Sequence, residues 1–539
     1  MKPILKYSII IITAAFIQSC SKDFLNRPPI DQVTSGNFYK TDEEVLAGTA
    51  PLYNIVWFDY NDKAFMAFGE ARGGNLNSND RTAYIQFTVS STDQSTLLPG
   101  YKSFYKIIAQ ANTTMQSIKG STGNITPEIK NMALGECRFM RAVAYYNLVT
   151  DWGAVPIIYD NVAQLDESPH RNSIEDVFKF IIMDLHFAAE NLPATPYQQG
   201  RLTKWSAEGL LAKMYLTRAG LGASEGSRNQ SDLDSAKYYA GDVVHNSGLS
   251  LDPDYYHLFT SEGNNSSNNN KESLFSLQWM PYNSPWGVNN SFQAYVAFES
   301  KLTQTGDGWG AAQGVSADVV RYFMSHGEDS IRRKATCMFD GDYYPDLEQK
   351  DGGLHYSVTF ISNLKKYVIG SPADNGGKGA FMAAYINTYI LRLAEVYLIY
   401  AESILGNAPS TSDPEALKYF NAVRSRAGVA EKSSITFTDI FQEKRVETIM
   451  EGGAWNEIVR WYYFAPEKAK AYVASQDKGN YTITHNEGSS PRTWTVVYTP
   501  QYYPVTDQSI YLPFPEAEMI NAPTLADEPV PFDFSKLPE

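Results

Sequence analysis

The chain has 539 residues, with 45 Lys and Arg against 60 Asp and Glu, and a formal net charge of −15. The chain is strongly acidic and its sequence shows no stripe of basic residues, so we expect it to be a poor binder of nucleic acid. It is long enough to bury a large core, in one large domain or in several smaller ones.

The N-terminal segment has the features of a secretion signal. Lys2 and Lys6 precede an apolar run at 8–17, which is too short to span a bilayer. Residues 17–20 (Ile-Gln-Ser-Cys) fit a lipobox. We expect residues 1–19 to be a lipoprotein signal peptide, cleaved before Cys20, whose acylated thiol then anchors the protein to a membrane. An ordinary secretory signal that happens to end near a cysteine is the alternative.

Residues 20–39 are polar, contain a Pro-Pro pair and predict a tether, which leaves 40–539 as one domain. In this domain, apolar residues recur at helical spacing in several segments. The segment 174–192 is predicted to begin after a cap at Ser173 and to end at Pro193. Helices are also predicted at 132–149, 203–219, 389–404, 415–428 and 439–464. Their lengths suit antiparallel pairs, as in helical-repeat scaffolds.

Three long segments between the helices, at 57–100, 255–385 and 475–515, are predicted to be irregular insertions. Within them, 272–279 and 492–499 have the composition of short strands. Loops of this length in a compact chain are usually functional or disordered, and the aromatic content here argues against disorder.

Several patterns that suggest chemistry fail on inspection. The Gly-x-Ser-x-Gly pattern at 222–226 follows a helix rather than a strand. Asp340 and Asp342 begin like a calcium loop, but the glycine and the final glutamate are misplaced. The seven histidines are scattered, so we expect no transition metal and no cofactor, while calcium in some other loop stays open. Cys137 and Cys337 are expected to be free and buried.

Charged residues interrupt the apolar faces of several predicted helices. A catalytic role is conceivable, but a desolvated charge needs a partner, so we expect ion pairs that join helices. The residues are Arg141, Arg392, Glu395, Glu402, Arg445, Glu447, Glu451 and Arg460.

Seven stretches, in order, resemble the SusD/RagB family of outer-membrane nutrient-binding lipoproteins. They are "CSKDFLNRPPIDQVTSGNFYKTDEEVLAGTAPLYN", "RFMRAVAYYNLVTDWGAVPII", "GRLTKWSAEGLLAKMYL", "ILRLAEVYLIYAESI", "NAVRSRAG", "EKRVETIMEGGAWNEIVRW" and "YLPFPEAEM". Asn456 and Glu457 depart from the Phe-Asp that the family usually has. The resemblance implies a mainly α fold of four tetratricopeptide-like helix pairs, with long irregular loops and a few short strands.

The resemblance also implies a function. It implies a protein anchored to the outer face of the outer membrane that is not an enzyme. Such a protein captures oligosaccharides, or in some cases peptides, for a SusC-like TonB-dependent transporter. A surface glycosidase is a further alternative.

Two stretches combine aromatic rings, which suit the apolar faces of sugars, with polar groups that suit hydroxyls. The first stretch lies where the family has its first ligand loop and offers Arg72, Asn75, Asn77, Asp80 and Tyr84. The second offers Tyr282, Trp286 and Trp309. These aromatic rings could instead pin the loops to the scaffold. For Trp279, at the end of a strand-like run, we expect burial.

Overall fold

The computed structural model describes residues 38–164, 168–223, 227–265 and 270–537. The predicted signal peptide, Cys20 and most of the predicted tether lie outside the described residues. Within the described part, no helix combines the length and apolarity needed to cross a membrane.

The fold is mainly α, as predicted. The helices of seven or more residues are α1 (Asp42–Thr49), α2 (Leu97–Lys119), α3 (Pro127–Trp152), α4 (Ile174–Asn191), α5 (Lys204–Arg218), α6 (Gln230–Asn246), α7 (Ala317–Ser325), α8 (Ser330–Thr336), α9 (Leu393–Leu405), α10 (Pro414–Arg426), α11 (Phe437–Glu447), α12 (Ala454–Phe464) and α13 (Pro466–Ser475). Short helical turns, among them Phe292–Val296 and Ser300–Thr303, lie in the connecting segments.

In the part of the chain that the structure describes, the strands form four two-stranded antiparallel pairs. These are β1 (Leu76–Ser78) with β3 (Gln313–Val315), β2 (Ser273–Leu277) with β6 (Thr388–Arg392), β4 (Tyr343–Tyr344) with β5 (Leu354–His355), and β7 (Asn480–His485) with β8 (Trp494–Thr499). The strands predicted within 272–279 and 492–499 are therefore confirmed.

Consecutive helices pack against one another. Helices α2 to α6 form a continuous series, and α6 then packs against α9, which also contacts α10 and α11. The segment between α6 and α9 therefore leaves the helical series and returns to it.

Helix α4 has the predicted boundaries. The Ser173 hydroxyl accepts a hydrogen bond from the Asp176 backbone N–H at 3.1 Å, which satisfies a donor at the helix start. Leu192 adopts an extended conformation just before Pro193, which ends the helix.

Two predicted helices are wrong in extent. The first part of 389–404 is strand β6, because its residues pair with β2, more than 100 residues earlier in the chain. The segment 439–464 is two helices, because the chain turns at Gly452, whose φ is +81°. A Cβ on Gly452 would lie 2.5 Å from the Phe65 ring, so this turn requires glycine.

The segment 57–100 is also more regular than predicted. Tyr60–Ala64 and Met66–Ala71 are π-helical, and α2 already begins at Leu97. Phe68 explains part of the order, since it packs where Gly100 of α2 leaves room for its ring.

The predicted ion pairs are confirmed, although Arg392 lies at the end of strand β6 and not in a helix. Arg392 contacts Glu272 at 2.6 Å, Glu447 at 3.0 Å and Glu451 at 2.7 Å. The other predicted residues form the pairs Arg141–Asp184, Glu395–Lys213, Glu402–Arg460 and Arg445–Asp318. Cys137 and Cys337 are free and buried, also as predicted.

Candidate functional site

Three of the predicted ligand residues expose large aromatic surfaces. Tyr282 is 59% exposed, Trp286 51% and Trp309 48%. Trp279 is buried, as predicted, and its indole N–H donates a hydrogen bond to Thr388 Oγ1 at 3.0 Å.

The exposed ring of Trp286 is supported from within the protein. Its ring packs edge-on against Phe58, with centroids 5.3 Å apart. Phe58 is itself buried, two residues before the helical turn Tyr60–Ala64. The Trp286 indole is therefore held against a rigid element while half of its surface meets solvent.

The ring of Trp309 is supported in the same way. It packs edge-on against Tyr295 at 5.6 Å and against Phe381 at 5.9 Å. Gly308 allows the chain to approach the scaffold here: its φ is +101°, and a Cβ on it would lie 2.6 Å from a backbone oxygen. The "GDGWG" sequence thus places an indole on a tightly held turn.

Hydrogen bonds join the chain segments that surround the two tryptophans. Lys63, five residues after Phe58, donates a hydrogen bond to Tyr295 Oη at 3.4 Å. Asn283, three residues before the first tryptophan, donates one to the Phe381 carbonyl, also at 3.4 Å. These contacts bring the loop that carries Tyr282 and Trp286 next to the rings around Trp309. We group the five aromatic residues of these loops, Tyr282, Trp286, Tyr295, Trp309 and Phe381, under the name aromatic platform.

Buried polar side chains hold the loops beneath the platform. Asn289 and Asn290 donate to the carbonyls of Met382 and Ile386, each at 2.7 Å. Asp307 accepts the backbone N–H of Met382 at 2.6 Å. Because buried polar groups are costly without partners, these bonds fix the loops that carry the platform rings.

Lys63 lies beside the platform but its charge is compensated. It forms an ion pair with Asp62 at 2.7 Å. Partial burial tends to lower the pKa of Lys63, but the neighbouring Asp62 raises it above its ordinary value. Lys63 therefore stays a cation, and the Asp62 carboxylate balances it.

The prediction for Arg72 needs correction, because the structure places its side chain in the interior. It forms an ion pair with Asp151 at 2.9 Å, donates to the Ile510 carbonyl at 2.6 Å and lies over the Trp455 ring. Burial lowers its pKa to about 10, so the guanidinium remains charged at neutral pH. Its role here is to join the first loop to the C-terminal part of the chain.

The predictions for Asn75 and Tyr84 also need correction, because both side chains are buried. The Asn75 amide donates to Glu70 at 2.8 Å and accepts from Arg445 at 2.9 Å. The Tyr84 hydroxyl donates to Asp93 at 2.8 Å, and the residue is 3% exposed. Their polar groups are used inside the protein, not presented to a ligand.

Asn77 and Asp80 are more accessible. Asn77 is half-buried in β1, opposite Gly314 of β3, and Asp80 is exposed. Neither forms a hydrogen bond or ion pair with a platform residue in the described part of the chain.

Sequence reasoning missed Tyr295 and Phe381. Phe381 is 39% exposed and follows "GGKGA", a stretch with no core periodicity. The signal that identified the tryptophan at 309, an aromatic residue among glycines, applies equally to this position. Tyr295 lies within the second stretch but was not singled out there.

The other candidates for chemistry are internal contacts. Asp342 pairs with Arg333, and Asp340 accepts from His485 at 2.6 Å. Among the described residues, no cluster of three or more His, Cys, Asp or Glu could hold a metal ion. A cavity of about 570 Å³, lined by none of the platform residues, lies between residues 156–164 and 168–172 on one side and the C-terminal residues 530–536 on the other.

Comparison with known proteins gives a consistent result. A family model described as "SusD family" matches residues 207–529, and a second model, "Starch-binding associating with outer membrane", matches residues 27–216. A SusD-like protein of Bacteroides ovatus is 38% identical over 98% of this chain and 99% of its own length.

Solved structures are similar over most of the chain. A crystal structure with xylogluco-oligosaccharide is 37% identical, has a TM-score of 0.83 and covers 91% of this chain and 99% of its own. A laminarin-binding SusD-like protein shares the fold, with a TM-score of 0.65 at 22% identity, over 89% of this chain and 98% of its own.

Proposed function

Because this chain belongs to the SusD family, we propose that it captures oligosaccharides at the cell surface and delivers them to a SusC-like TonB-dependent outer-membrane transporter. The observation that carries the proposal is the aromatic platform. Its rings are about 40–60% exposed except for Tyr295, which supports Trp309 and is half-buried. Exposed apolar surface gathered in one place marks a binding site.

The platform suits sugars because of its shape and chemistry. A pyranose ring presents C–H groups on its faces and hydroxyls around its rim, so a flat indole meets the face while amides meet the rim. Rings that are already held in place lose little conformational freedom when a ligand arrives, which favours binding.

The xylogluco-oligosaccharide structure supports a glycan over a peptide. That relative is similar to this chain along almost its whole length, at 37% identity. We therefore place oligosaccharide first and treat peptide capture as an outcome that the binding experiment would reveal.

The carboxylates next to the platform support binding without catalysis. Asp62 accepts a hydrogen bond from Ser291 and pairs with Lys63. Asp307 accepts from Thr305 at 2.7 Å and from the backbone of residue 382. A glycosidase needs two carboxyl groups free to act on the glycosidic bond, whereas these two are committed to holding the loops.

Membrane attachment in this proposal depends on Cys20. A multiply acylated cysteine gives a stable anchor, whereas one acyl chain binds only marginally. The Cys20→Ala variant should incorporate no labelled fatty acid and should leave the membrane fraction. Incorporation of label by that variant would contradict the anchor.

The capture function is tested with a panel of neutral and acidic polysaccharides and mixed peptides. Binding is measured by affinity electrophoresis and calorimetry, and the glycan products are analysed after long incubation. We expect retention by at least one neutral glycan with no change in its length. Shortened products would favour a glycosidase, and binding of peptides alone would favour peptide capture.

Delivery is tested separately. Gentle detergent extraction of cells with a tagged chain should co-purify an outer-membrane barrel protein, and deletion of the chain should reduce glycan uptake. Recovery of the tagged chain alone in several mild detergents, with normal uptake in the deletion strain, would contradict delivery to a transporter.

A further inference from the structure

A groove of about 430 Å³ begins at the edge of the aromatic platform. Tyr282 and its neighbour Met280 line it, and these two side chains are 59% and 48% exposed. A ligand that lies on Tyr282 therefore touches the platform and the groove at once.

Amide side chains dominate the polar lining of this groove. They are Asn54, Gln198, Gln199, Asn265, Gln278 and Asn387. Two of them build its floor: Asn387 donates to Gln278 at 3.2 Å and accepts from the Trp279 backbone at 3.0 Å. The floor is thus fixed to the buried end of strand β2.

Other amides at the groove keep hydrogen-bonding capacity. The Gln198 carbonyl oxygen accepts from Arg201 at 3.0 Å, and that of Asn54 accepts from the Ile55 backbone at 2.6 Å. The NH2 groups of both form no hydrogen bond with the described residues. Gln199 is exposed and forms none through either group in the same part of the chain.

The groove offers no unpaired charge among its described lining residues. Arg201 is the charged residue there, and its guanidinium contacts Glu136 at 2.9 Å and the Leu46 carbonyl at 2.6 Å. Because that charge is neutralised from behind, the groove presents polar but uncharged groups. Such a surface matches the hydroxyls of a neutral sugar and offers no free cation to a carboxylate or sulfate.

We propose that this amide groove is a second sugar-binding surface, which takes the residues of a neutral oligosaccharide that extend beyond the aromatic platform. The amide NH2 groups of Asn54, Gln198 and Gln199 donate to sugar oxygens, and the Gln199 carbonyl accepts from a sugar hydroxyl. The inference rests on the proposed function, which it deepens: the ligand is a neutral glycan longer than the platform itself.

The test compares ligand lengths. Calorimetry measures binding of neutral xylogluco-oligosaccharides with one, two and three repeat units to the wild type and to the double variant Gln198→Ala/Gln199→Ala. Gln508→Ala is the matched control, because Gln508 is an exposed glutamine outside the groove. Thermal unfolding checks that all variants are folded.

We expect wild-type affinity to rise with length, and the double variant to bind the longest ligand about tenfold more weakly, the loss of one or two net hydrogen bonds. Its affinity for the shortest ligand should stay within about twofold, since that ligand is held by the rings. The control should match the wild type at every length.

Three results would overturn the proposal that the groove binds sugar. They are an equal loss of affinity in the double variant for all ligand lengths, no loss of affinity for any ligand length, and a wild-type affinity that does not rise with ligand length. Absence of wild-type binding to every xylogluco-oligosaccharide would also overturn it in this form. The proposed function would still stand in that last case if another glycan in the panel bound, so the two failures are distinguishable.

Discussion

The indole of Trp309 packs edge-on against the phenol ring of Tyr295, with ring centroids 5.6 Å apart, while about half of the indole surface remains exposed. One ring supports the other from within the protein, so the exposed ring is positioned before any ligand arrives. This arrangement separates residues that touch the ligand from residues that hold the platform in place.

A substitution at Asp307 tests whether buried hydrogen bonds hold the platform rings in position. Asp307→Asn replaces one acceptor oxygen with an NH2 group, so the side chain can no longer accept from both the Met382 backbone and Thr305. Because Met382 adjoins Phe381, we expect glycan affinity to fall about threefold to tenfold, with a loss of about 1–3 kcal/mol in stability. Calorimetry and urea unfolding measure the two effects. Unchanged affinity in the folded variant would show that this contact does not position the platform.

Glu447 tests the buried ion pairs. It contacts Arg426 at 2.5 Å and Arg392 at 3.0 Å, and these charges hold its pKa below the usual range although burial alone would raise it. Glu447→Gln leaves buried guanidinium groups with less compensation, so we expect a loss of about 3–5 kcal/mol in the free energy of unfolding.

The control for this prediction is Glu467→Gln. Glu467 pairs with Lys470 on an exposed face, where its side chain is 84% exposed. Such pairs contribute little, so the change should stay within about 0.5 kcal/mol. Similar losses in both variants would contradict the role assigned to the buried network.

Lys478 gives a prediction about pH. Burial lowers its pKa to about 7, and its ammonium lies over Phe87 and donates to the Ile85 carbonyl. Between about pH 7 and pH 10 the unfolded chain binds this proton and the folded chain does not, so the contribution of this group to stability rises with pH. Below pH 7 the folded protein bears the full cost of a buried charge.

The Lys478→Met variant should therefore be more stable than the wild type at pH 6, by about 2–4 kcal/mol, and this advantage should shrink steadily towards pH 10. Urea unfolding at several pH values measures it, with the exposed Lys468→Met as control. An advantage that is independent of pH would show that Lys478 does not titrate in this range.

The sequence was a good guide where local pattern decides structure. Helix α4 has its predicted cap and its predicted end, since both depend on neighbours within four residues. Trp286 lies among Asn, Ser, Pro and Gly, with no periodicity to bury it, and it is exposed. Trp279 comes two residues after the largely buried strand β2, and it is buried.

The sequence was a poor guide where contacts between distant segments of the chain determine the structure. The first stretch, with Arg72, Asn75 and Tyr84, has the composition of a surface loop. Arg72 is buried by Asp151 and by residues more than 380 positions later, and Asn75 by Arg445. The sequence predicts a helix where strand β6 lies for a similar reason, because an apolar run alone does not reveal a pairing partner far away in the chain.

The most direct test of the central claim is calorimetric titration of the wild type, Trp286→Ala, Trp309→Ala and Tyr502→Ala with the glycan that the wild type binds best. Tyr502 is 56% exposed but lies outside the platform, so it matches the tryptophans in exposure alone. We predict that each tryptophan variant loses about 1–2 kcal/mol of binding free energy with a nearly unchanged melting temperature, while Tyr502→Ala binds like the wild type. Wild-type affinity in both folded tryptophan variants would contradict the platform as the glycan site.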